Sequence, residues 1–374
     1  MATILRPGGA TAAHTHLSEL PRYMVATGAG AVSVVTAFSW GGALQLPVYG
    51  AQRAVARFFP ATGVAWYRSS HQQFLRQALR RRLTGGAPAV IYALGPEAAG
   101  AALAARKGDH QRVIMAVHYR ASQAEGWADN GLIKPGGRQY RAFRASEHSL
   151  VPDLDGIVYV SHFARQSLLS WLPEAERVPS VVVPNLVSPV ALAPSNPVAD
   201  FVTVGQLLPS ARHDAILHAL AGASALGHSF TWHVLGDGPR RPALQELARA
   251  LGVARQVRFW GDVPVVEGQL AEYRAYLHAC ATEPGSLSIL RALAAGLPVL
   301  APPGGANGEF FDDGAEGRYW SPDGDDGVAA LVSFHEEVLA TPELATRARA
   351  RFERDFSPTV LCPKLVSFLM DGRA

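Results

Sequence analysis

Short apolar runs alternate along the chain with longer stretches whose apolar residues recur at helical spacing. Apolar runs of about four to eight residues are typical of buried strands, and a period of about 3.6 residues is typical of amphipathic helices. In the first half the pattern predicts strands at residues 3–6, 31–38, 89–93, 112–118, 156–161 and 180–183. It predicts helices there at residues 11–27, 70–83, 96–106, 138–150 and 164–172.

A proline-rich segment then interrupts the alternation, which resumes at Asp200. Residues 184–199 contain four prolines and little periodicity, and we interpret them as an interdomain linker because proline resists helix and sheet alike. Beyond the linker the pattern predicts strands at residues 200–204, 231–235, 256–259, 275–280 and 298–301. It predicts helices there at residues 212–226, 242–251, 286–295, 325–340, 342–356 and 357–370.

Strands that alternate with helices indicate an α/β fold, with a parallel sheet covered by helices on both faces. The chain has 374 residues and domains typically hold about 100–200, so we expect two Rossmann-like, doubly wound domains that face a cleft. The predicted domains are residues 1–186 and residues 187–356, followed by a C-terminal helix at 357–374 that returns to the N-terminal domain. Ligands of such sheets bind at the carboxyl ends of the strands.

The composition excludes several classes of protein. Hydrophobic residues make up 48% of the chain and charged residues 17%, as in an ordinary globular protein. The net charge of +3 suits a small anionic substrate such as a nucleotide diphosphate, but it is too small to indicate nucleic-acid binding. The longest apolar runs are strand-sized, and the N terminus lacks the pattern of a secretory signal, so we expect neither a transmembrane segment nor a signal peptide.

Cysteine and histidine spacing gives no sign of a metal centre. Cys280 and Cys362 provide neither a disulfide framework nor a metal-ligand pattern, which favours the reducing cytoplasm. The scattered histidines show no metal-ligand spacing either. His14 and His16 lie on the first predicted helix near a glycine loop, where one of them could approach a ligand, but two residues apart they do not share a helix face.

Two glycine-containing turns connect predicted strands to predicted helices. Gly8 and Gly9 follow the first strand, and Gly236 and Gly238 follow the strand at 231–235. Glycine lets the backbone come close to a ligand, and the helix N terminus that follows favours an anion. A tight turn without a ligand explains either sequence equally simply, so neither turn decides the function alone.

The most specific signal is a longer motif in the second half. It reads Ala-Thr-Glu-Pro-Gly-Ser from Ala281, then a helix ending in Ala-Ala-Gly-Leu-Pro-Val at Val299, then Pro-Gly-Gly to Gly305, with Glu309 soon after. Gly285 and Ser286 open a helix whose free N–H groups can bind phosphate. Glu283 precedes this helix, where its carboxylate could accept hydrogen bonds from sugar hydroxyls.

The order of these motifs resembles the family 4 retaining glycosyltransferases of GT-B fold. From about Phe201 to Gly317 the chain reads Val-Gly-Gln-Leu, Leu-Gly-Asp-Gly-Pro, Phe-Trp-Gly-Asp-Val, Glu-Pro-Gly-Ser, Ala-Ala-Gly-Leu-Pro-Val and Gly-Gly, as in the donor domain of that family. The first half is similar through the Gly8-Gly9 loop and the strand that ends at His118. Single pieces are common, but the ordered set is specific.

The resemblance implies a donor that is a nucleotide diphosphate sugar of UDP or GDP type, with no further cofactor and no metal. Glu283 matches the glutamate that contacts the sugar, and His118 matches a histidine on the acceptor side. The implied donor-binding residues are Gly8, Gly9, Gln206, Arg212, Gly236, Gly238, Pro284, Gly285, Ser286, Leu287, Arg291 and Glu309. We expect His16, Ser122 and Glu125 to contact the acceptor.

Three positions depart from the family pattern. Arg291 stands where a second glutamate holds the ribose, Gln206 replaces a usual arginine, and Ala211 replaces a usual lysine with Arg212 one step along. Arginine accepts no hydrogen bond, so it cannot recognise ribose as glutamate does, but it binds phosphate well. We hypothesise that Arg291 and Arg212 replace the missing positive charge at the diphosphate. The competing interpretation is that the donor site has decayed.

Simpler interpretations of single residues remain open. His118 could be a buried core histidine, Glu283 could only assist the start of a helix, and Glu309 could be either a donor contact or a cap. The apolar and aromatic segments 38–49 and 58–67 are predicted to be loops that cover an acceptor. We expect a small-molecule acceptor, such as an intermediate of antibiotic biosynthesis. Coupling by different chemistry, transfer to S or N, and a non-catalytic sugar-binding relative are the alternatives, and a nicotinamide-dependent dehydrogenase lacks its glycine fingerprint.

Overall fold

A computed structural model describes residues 1–3, 12–39, 45–189, 197–263 and 266–372. The chain divides into two compact units, which we describe separately. The first unit contains Met1–Leu186 together with Leu361–Ala374, and the second contains Val187–Val360. The predicted Gly8-Gly9 loop lies outside the described residues.

The first unit is a parallel sheet of strands in the order β2-β1-β3-β4-β5-β6. Its strands are β1 (Ala2–Thr3), β2 (Val35–Thr36), β3 (Ala89–Leu94), β4 (Gln111–Val117), β5 (Gly156–Tyr159) and β6 (Ser180–Val182). Its helices are α1 (Ala12–Thr27), α2 (Gln45–Phe58), α3 (Pro60–Arg82), α4 (Pro96–Leu103), α5 (Gln123–Asp129), α6 (Arg138–Leu150) and α7 (His162–Leu169).

The core of the first unit forms around β3, β4 and β5, which are buried almost completely. Successive residues of a strand point to opposite faces, and Val113, Met115 and Val117 of β4 all lie in one apolar cluster. Gly156 of β5 leaves room for Phe368, because a Cβ on this glycine would lie 3.1 Å from the phenyl ring.

The second unit is a parallel sheet in the order β12-β11-β10-β7-β8-β9. Its strands are β7 (Ala199–Val204), β8 (Trp232–Leu235), β9 (Val257–Gly261), β10 (Tyr273–Leu277), β11 (Val299–Ala301) and β12 (Gly317–Tyr319). Its helices are α8 (His213–Ala225), α9 (Arg241–Ala250), α10 (Val266–Leu270), α11 (Leu287–Ala294), α12 (Asn307–Phe310), α13 (Gly324–Ala340) and α14 (Glu343–Asp355). The last helix, α15 (Pro358–Asp371), belongs to the first unit from Leu361 onward.

A buried polar chain ties the central strands of this second sheet together. The Trp232 indole donates to Thr203 Oγ1 at 2.9 Å, and the Thr203 hydroxyl donates to the carbonyl of Leu277 at 2.8 Å. These contacts join β8, β7 and β10 across the core. They satisfy polar groups that would otherwise be costly to bury.

Each sheet has a point at which its strand order reverses. In the first unit the chain proceeds from β1 to β2 on one side and resumes with β3 on the other. In the second unit it proceeds from β7 to β8 and β9, then resumes with β10 on the opposite side of β7. Both units are therefore doubly wound α/β sheets, which confirms the predicted fold class.

The structure corrects several predicted elements. The segments 38–49 and 58–67 are not covering loops, because α2 begins at Gln45 and α3 begins at Pro60. These helices lie against each other where Gly63, which has no Cβ, contacts Ala56. The strand expected at 31–38 is limited to β2, and the one expected at 275–280 ends at Leu277. Helices α2, α5, α10 and α12 and strand β12 were not predicted.

Candidate functional site

The loops that follow β7 and β10 lie at the switch point of the second unit. One comprises residues 205–212 and the other comprises residues 278–286. Ligands of doubly wound sheets bind outside the carboxyl ends of the two strands that flank this point. The topology therefore brings the predicted donor residues Gln206, Arg212 and Glu283 to one edge of the sheet.

Glu283 is paired with a buried histidine that the sequence analysis did not predict. His278 follows β10 directly and is 7% exposed, and its Nε2 lies 3.1 Å from Glu283 Oε2. The Glu283 side chain is 36% exposed, so it still reaches solvent. The backbone of His278 is held on both sides, because its N–H donates to Leu300 and its carbonyl accepts from the Trp320 indole, at 2.9 and 2.8 Å.

The two neighbouring histidines of this edge differ in charge. Burial lowers the pKa of His278, but hydrogen bonds with Cys280 and Glu283 and the charge of Glu283 outweigh burial and raise this pKa to about 9. Burial and the charge of His278 lower the pKa of His213 to about 4. At neutral pH an imidazolium at His278 therefore faces Glu283, while His213 is neutral.

A buried asparagine fastens both neighbouring loops to the start of α11. Asn307 is fully buried, and its Oδ1 accepts a hydrogen bond from Ser286 Oγ at 2.5 Å. Its Nδ2 donates to the carbonyls of Cys280 and Pro302, both at 2.9 Å. Because Ser286 is the residue before α11, these bonds fix the position of the free N–H groups at the start of that helix.

The glycines of the motifs allow backbone segments to touch one another. A Cβ on Gly236 or Gly238 would overlap the backbone of the loop after β7, and a Cβ on Gly304 or Gly305 would overlap residues 281–283. The sequence predicts these glycines as close-approach positions, and the structure supplies protein backbone as one partner. Contact of Gly236 and Gly238 with a donor stays a prediction.

The remaining predicted donor residues differ in exposure. Gln206 is exposed, Gly285 and Ser286 are buried, and Pro284, Leu287 and Glu309 are intermediate. All of them except Glu309 lie on the two switch-point loops or at the first residue of α11, and Glu309 lies on α12.

Arg212 and Arg291, which are predicted to bind the diphosphate together, have different surroundings. Arg212 precedes α8, is 42% exposed at its side chain, and donates from Nη2 to Asp323 Oδ1 at 2.5 Å. Arg291 lies within α11 and is 6% exposed. Burial raises the pKa of Tyr276 above its usual range and the charge of Arg291 opposes this rise, so the two side chains are electrostatic neighbours. Shared phosphate binding by these arginines stays a hypothesis.

In the first unit, His118 and His16 form a pair at the carboxyl end of the sheet. His118 follows β4, and its Nδ1 lies 3.1 Å from Asn185 Oδ1. His16 of α1 is fully buried, with Nδ1 3.0 Å from the Tyr92 hydroxyl, and its ring meets that of His118 edge to face at 4.9 Å between centroids. Among the described residues, neither Nε2 atom has a hydrogen-bond partner.

Both rings of this pair are neutral near pH 7. Burial lowers the pKa of His118 to about 4, although the hydrogen bond to Asn185 opposes the shift. Burial and the neighbouring His118 lower the pKa of His16 well below its usual range. With Asn185 Oδ1 as its acceptor, His118 carries its proton on Nδ1, and Nε2 presents a lone pair that can accept a hydrogen bond from a hydroxyl.

Ser122 and Glu125, both predicted to contact an acceptor, lie at the start of α5. Ser122 is buried, and its hydroxyl accepts a hydrogen bond from the Ala124 N–H at 3.1 Å as an N-cap. Glu125 lies 3.8 Å from Arg120 and 4.0 Å from Arg144. These contacts give both residues roles within the protein, and their contact with an acceptor stays a prediction.

Strained backbone marks the same loops. Among the described residues, the non-glycine residues with positive φ are Ala121, Arg212 and Ser286, at 48°, 54° and 30°. They follow β4, β7 and β10, respectively. Strain of this kind costs on the order of 1–3 kcal/mol per residue and is concentrated at functional sites. The observation therefore favours the carboxyl edges of both sheets as functional.

Two further searches of the described residues bear on function. No group of three or more His, Cys, Asp or Glu side chains among them is arranged to hold a metal ion. No helix within that part of the chain combines the length and the apolar character needed to cross a membrane.

Comparison with known protein families matches both halves of the chain. The family profile described as "Glycosyl transferase 4-like domain" matches residues 11–185, and the profile described as "Glycosyl transferases group 1" matches residues 199–339. The chain belongs to the family 4 glycosyltransferases of GT-B fold. The ordered motifs of the second half and the doubly wound units agree with this glycosyltransferase family.

Several individual glycosyltransferases are similar to the chain. The phosphatidylinositol N-acetylglucosaminyltransferase of Arabidopsis thaliana has a polypeptide that is 26% identical over 48% of this chain and 41% of its own length. A GDP-mannose-dependent phosphatidylinositol monomannoside mannosyltransferase of Mycolicibacterium smegmatis is 26% identical over 70% of this chain and 67% of its own. The chain thus spans less than half of the plant relative.

A solved structure shares the fold over the whole chain. Anabaena HepE in complex with UDP and glucose superposes with a TM-score of 0.69 at 15% identity, and the match covers 99% of both chains. At this identity the likeness shows the fold alone.

The sequence analysis missed three side chains that organise the site. His278 fell within a predicted strand, Asn307 in a predicted loop, and Asn185 in the predicted linker. Their common signal is a polar residue just beyond the carboxyl end of a buried apolar run, where strands of a parallel sheet deliver side chains to one edge. That signal marks positions only and cannot show that Asn307 contacts Ser286.

Proposed function

We propose that the protein is a retaining glycosyltransferase that moves a sugar from a nucleotide diphosphate donor of UDP or GDP type to a small-molecule acceptor. The single observation that carries the proposal is the meeting of the Glu283 motif with the loop after β7 at the switch point of the second unit. Membership in the glycosyltransferase family supports it. The donor is a substrate, and we expect no further cofactor or metal.

On the second unit, we assign the diphosphate to the start of α11 and to Arg212. The free N–H groups after Ser286 form the positive end of the helix dipole, and Arg212 is the more exposed of the two candidate cations. Glu283 accepts hydrogen bonds from hydroxyls of the sugar. The ribose contact of the family cannot form through Arg291, so we expect the ribose to be held by other groups.

On the first unit, we assign His118 to the hydroxyls of the sugar or the acceptor. Its neutral ring offers a lone pair on Nε2, and Asn185 fixes its orientation. Because the ring is neutral near pH 7, it acts by accepting and orienting a hydrogen bond and does not act as a cation.

The chemical step follows from retention of configuration. The acceptor hydroxyl attacks the anomeric carbon on the face from which the diphosphate leaves. The bond from that carbon to the diphosphate oxygen breaks as the new bond forms, and the hydroxyl proton passes to the leaving diphosphate. Preorganised N–H donors stabilise the charge that grows on the phosphate.

The class of acceptor is the least supported part of the proposal. The plant and mycobacterial relatives are both named for phosphatidylinositol-linked acceptors, whereas the sequence analysis favours a small molecule, as in antibiotic biosynthesis. We retain the small molecule as the proposal and place the reaction in a reducing cytoplasm, since Cys280 and Cys362 are both free thiols.

A thermal-shift screen tests the donor site. The purified protein is melted with UDP, GDP, ADP or dTDP and with their sugars, and NAD serves as the control. Stabilisation by one nucleotide diphosphate and its sugar, but not by NAD, is the expected result. No shift with any of these nucleotides would favour a non-catalytic or chemically altered relative, with Arg291 as the mark of a lost site. Product analysis by NMR then decides between retention, inversion and transfer to S or N.

A further inference from the structure

The pair formed by His278 and Glu283 has features of a functional device. The ring of His278 is buried, whereas Glu283 extends from the same loop toward solvent with its Oε2 3.1 Å from His278 Nε2. The ring of Tyr276 stacks beside His278, with centroids 6.2 Å apart and planes inclined by 25°. The histidine is thus rigidly placed on the core side of the glutamate.

The pair leaves part of the carboxylate available. Oε2 faces the histidine, and the half-exposed position of Glu283 lets its other oxygen, Oε1, meet a ligand. Without a fixed partner, an exposed glutamate samples many rotamers, and a ligand that needs one of them must order it at an entropic cost. A buried cation that holds Oε2 removes most of this cost before the ligand binds.

We propose that His278 is a positioning residue for donor recognition, which holds Glu283 in the orientation that accepts hydrogen bonds from the sugar of a nucleotide diphosphate sugar. This inference rests on the proposed function. It deepens that function by assigning sugar recognition to a His–Glu pair, in which the histidine itself does not touch the sugar.

The charge state of His278 supports this role and gives it a pH signature. Hydrogen bonding with Cys280 and Glu283 raises the pKa of His278 to about 9 against the effect of burial, so the ring is charged at neutral pH. The other titratable side chain beside it is His213, which is neutral. The charge on His278 is present below pH 9 and is lost as the pH rises through that value.

Further charges surround the cluster at longer range. Arg212 is an electrostatic neighbour of Cys280, Arg240 acts on His213, and Arg291 acts on Tyr276 together with Glu283. The arginines keep their charge throughout the pH range of the experiment. Changes between pH 7 and pH 10 therefore belong to His278 or to the thiol of Cys280, and a variant at Cys280 separates these two.

The experiment compares the affinities of a nucleotide diphosphate and its sugar by calorimetric titration. The probes are UDP and UDP-glucose, followed by GDP and GDP-mannose, and the measured quantity is the sugar increment, the ratio of the two dissociation constants. In His278→Gln we expect the increment to fall about tenfold while the affinity for the free diphosphate stays within about twofold. The wild-type increment declines above pH 9, and this decline is absent from His278→Gln.

A matched control breaks an equivalent pair elsewhere in the second unit. His335 Nε2 lies 3.2 Å from Asp200 Oδ1, near the amino end of β7 and thus at the opposite edge of the sheet. His335→Gln lowers stability by a comparable mechanism but leaves the sugar increment unchanged. Circular dichroism of each variant verifies folding, and Glu283→Gln provides the reference for complete loss of the increment.

Four outcomes decide the matter. An increment in His278→Gln equal to that of the wild type would overturn the inference and leave the proposed function standing. A decline above pH 9 that disappears in Cys280→Ser but persists in His278→Gln would assign it to the thiol and also overturn the inference. Absence of any nucleotide binding by the wild type would overturn both. A double variant His278→Gln/Glu283→Gln no worse than Glu283→Gln alone supports action of the histidine through the glutamate.

Discussion

Ser286 Oγ donates a hydrogen bond to Asn307 Oδ1 at 2.5 Å, and this contact holds a strained residue at the start of α11. Ser286 has φ 30°, a left-handed conformation that costs a residue with a Cβ about 1–2 kcal/mol. Asn307 compensates by joining this residue to the loops after β10 and β11. The shape of the candidate phosphate site therefore depends on a side chain that need not touch any ligand.

Replacement of Asn307 should show this dependence. Asn307→Ala leaves the carbonyls of Cys280 and Pro302 and the Ser286 hydroxyl without their buried partner, and we expect the free energy of unfolding to fall by on the order of 3 kcal/mol. Urea denaturation measures it. Asn130→Ala, on an exposed amide that donates to Gly126, is the control and should cost less than about 1 kcal/mol. Equal losses in the two variants would contradict the assigned role.

The acid sensitivity of the protein should depend on its buried neutral histidines. The pKa of His213 falls from an ordinary value near 6.5 to about 4 on folding, because of burial and the charge of His278. Between these values the unfolded chain binds a proton that the native protein does not, so stability decreases as the pH falls from about 6.5 to 4.

The variant His213→Phe isolates this contribution. We expect it to lose less stability than the wild type between pH 7.5 and pH 4.5, by up to about 3 kcal/mol. His218→Gln changes an exposed histidine of the same helix and should follow the wild-type curve. Urea unfolding at each pH provides the comparison, and parallel curves for wild type and His213→Phe would refute the assignment.

Compensation by Arg212 and Arg291 makes a prediction about nucleotide affinity. If these residues supply the charge that Gln206 and Ala211 lack, Arg212→Ala combined with Arg291→Met should weaken binding of the nucleotide diphosphate by about 10–100-fold. Arg318→Ala removes one charge from an ion pair with Glu337 in the same unit and controls for the general field. Calorimetry measures all three proteins. Unchanged affinity in the double variant would mean that the departures mark a site of another kind.

His118 should affect turnover without affecting the donor affinity of the second unit. His118→Gln removes the lone pair that Asn185 orients, and we expect the release of nucleotide diphosphate from its sugar to slow by about tenfold or more. Its dissociation constant for the free diphosphate should be unchanged. His71→Gln, at another buried histidine of the first unit, is the control. Full activity of His118→Gln would favour the interpretation of His118 as a core histidine.

The sequence predicted the sheets well because apolar runs and helical periods report burial directly. Strands β3, β4 and β7 and helices α6, α8 and α13 begin and end within two residues of their predicted limits. Helices α2 and α3 were mistaken for loops, because aromatic residues and Gly63 mask the period, and only the packing of Gly63 on Ala56 explains the glycine. Periodicity cannot recognise a contact between two helices.

The candidate site was predictable only where chemistry follows local motif. Glu283 and His118 were found because each lies beside a strand end or helix start that the sequence displays. His278 and Asn307 act through residues five and 21 positions away, respectively. Their roles depend on side-chain direction and on the adjacency of β10 and β11, which the order of the chain does not reveal. The placement of Arg212 against Asp323 is equally non-local.

Hydrogen–deuterium exchange with mass spectrometry tests the central claim most directly. The claim is that the donor binds the second unit at the loops after β7 and β10. With the nucleotide diphosphate sugar that stabilises the protein, we predict slower exchange of residues 205–212 and 281–288, and no such change with NAD. Protection confined to other segments, or none at a saturating donor concentration, would contradict the account.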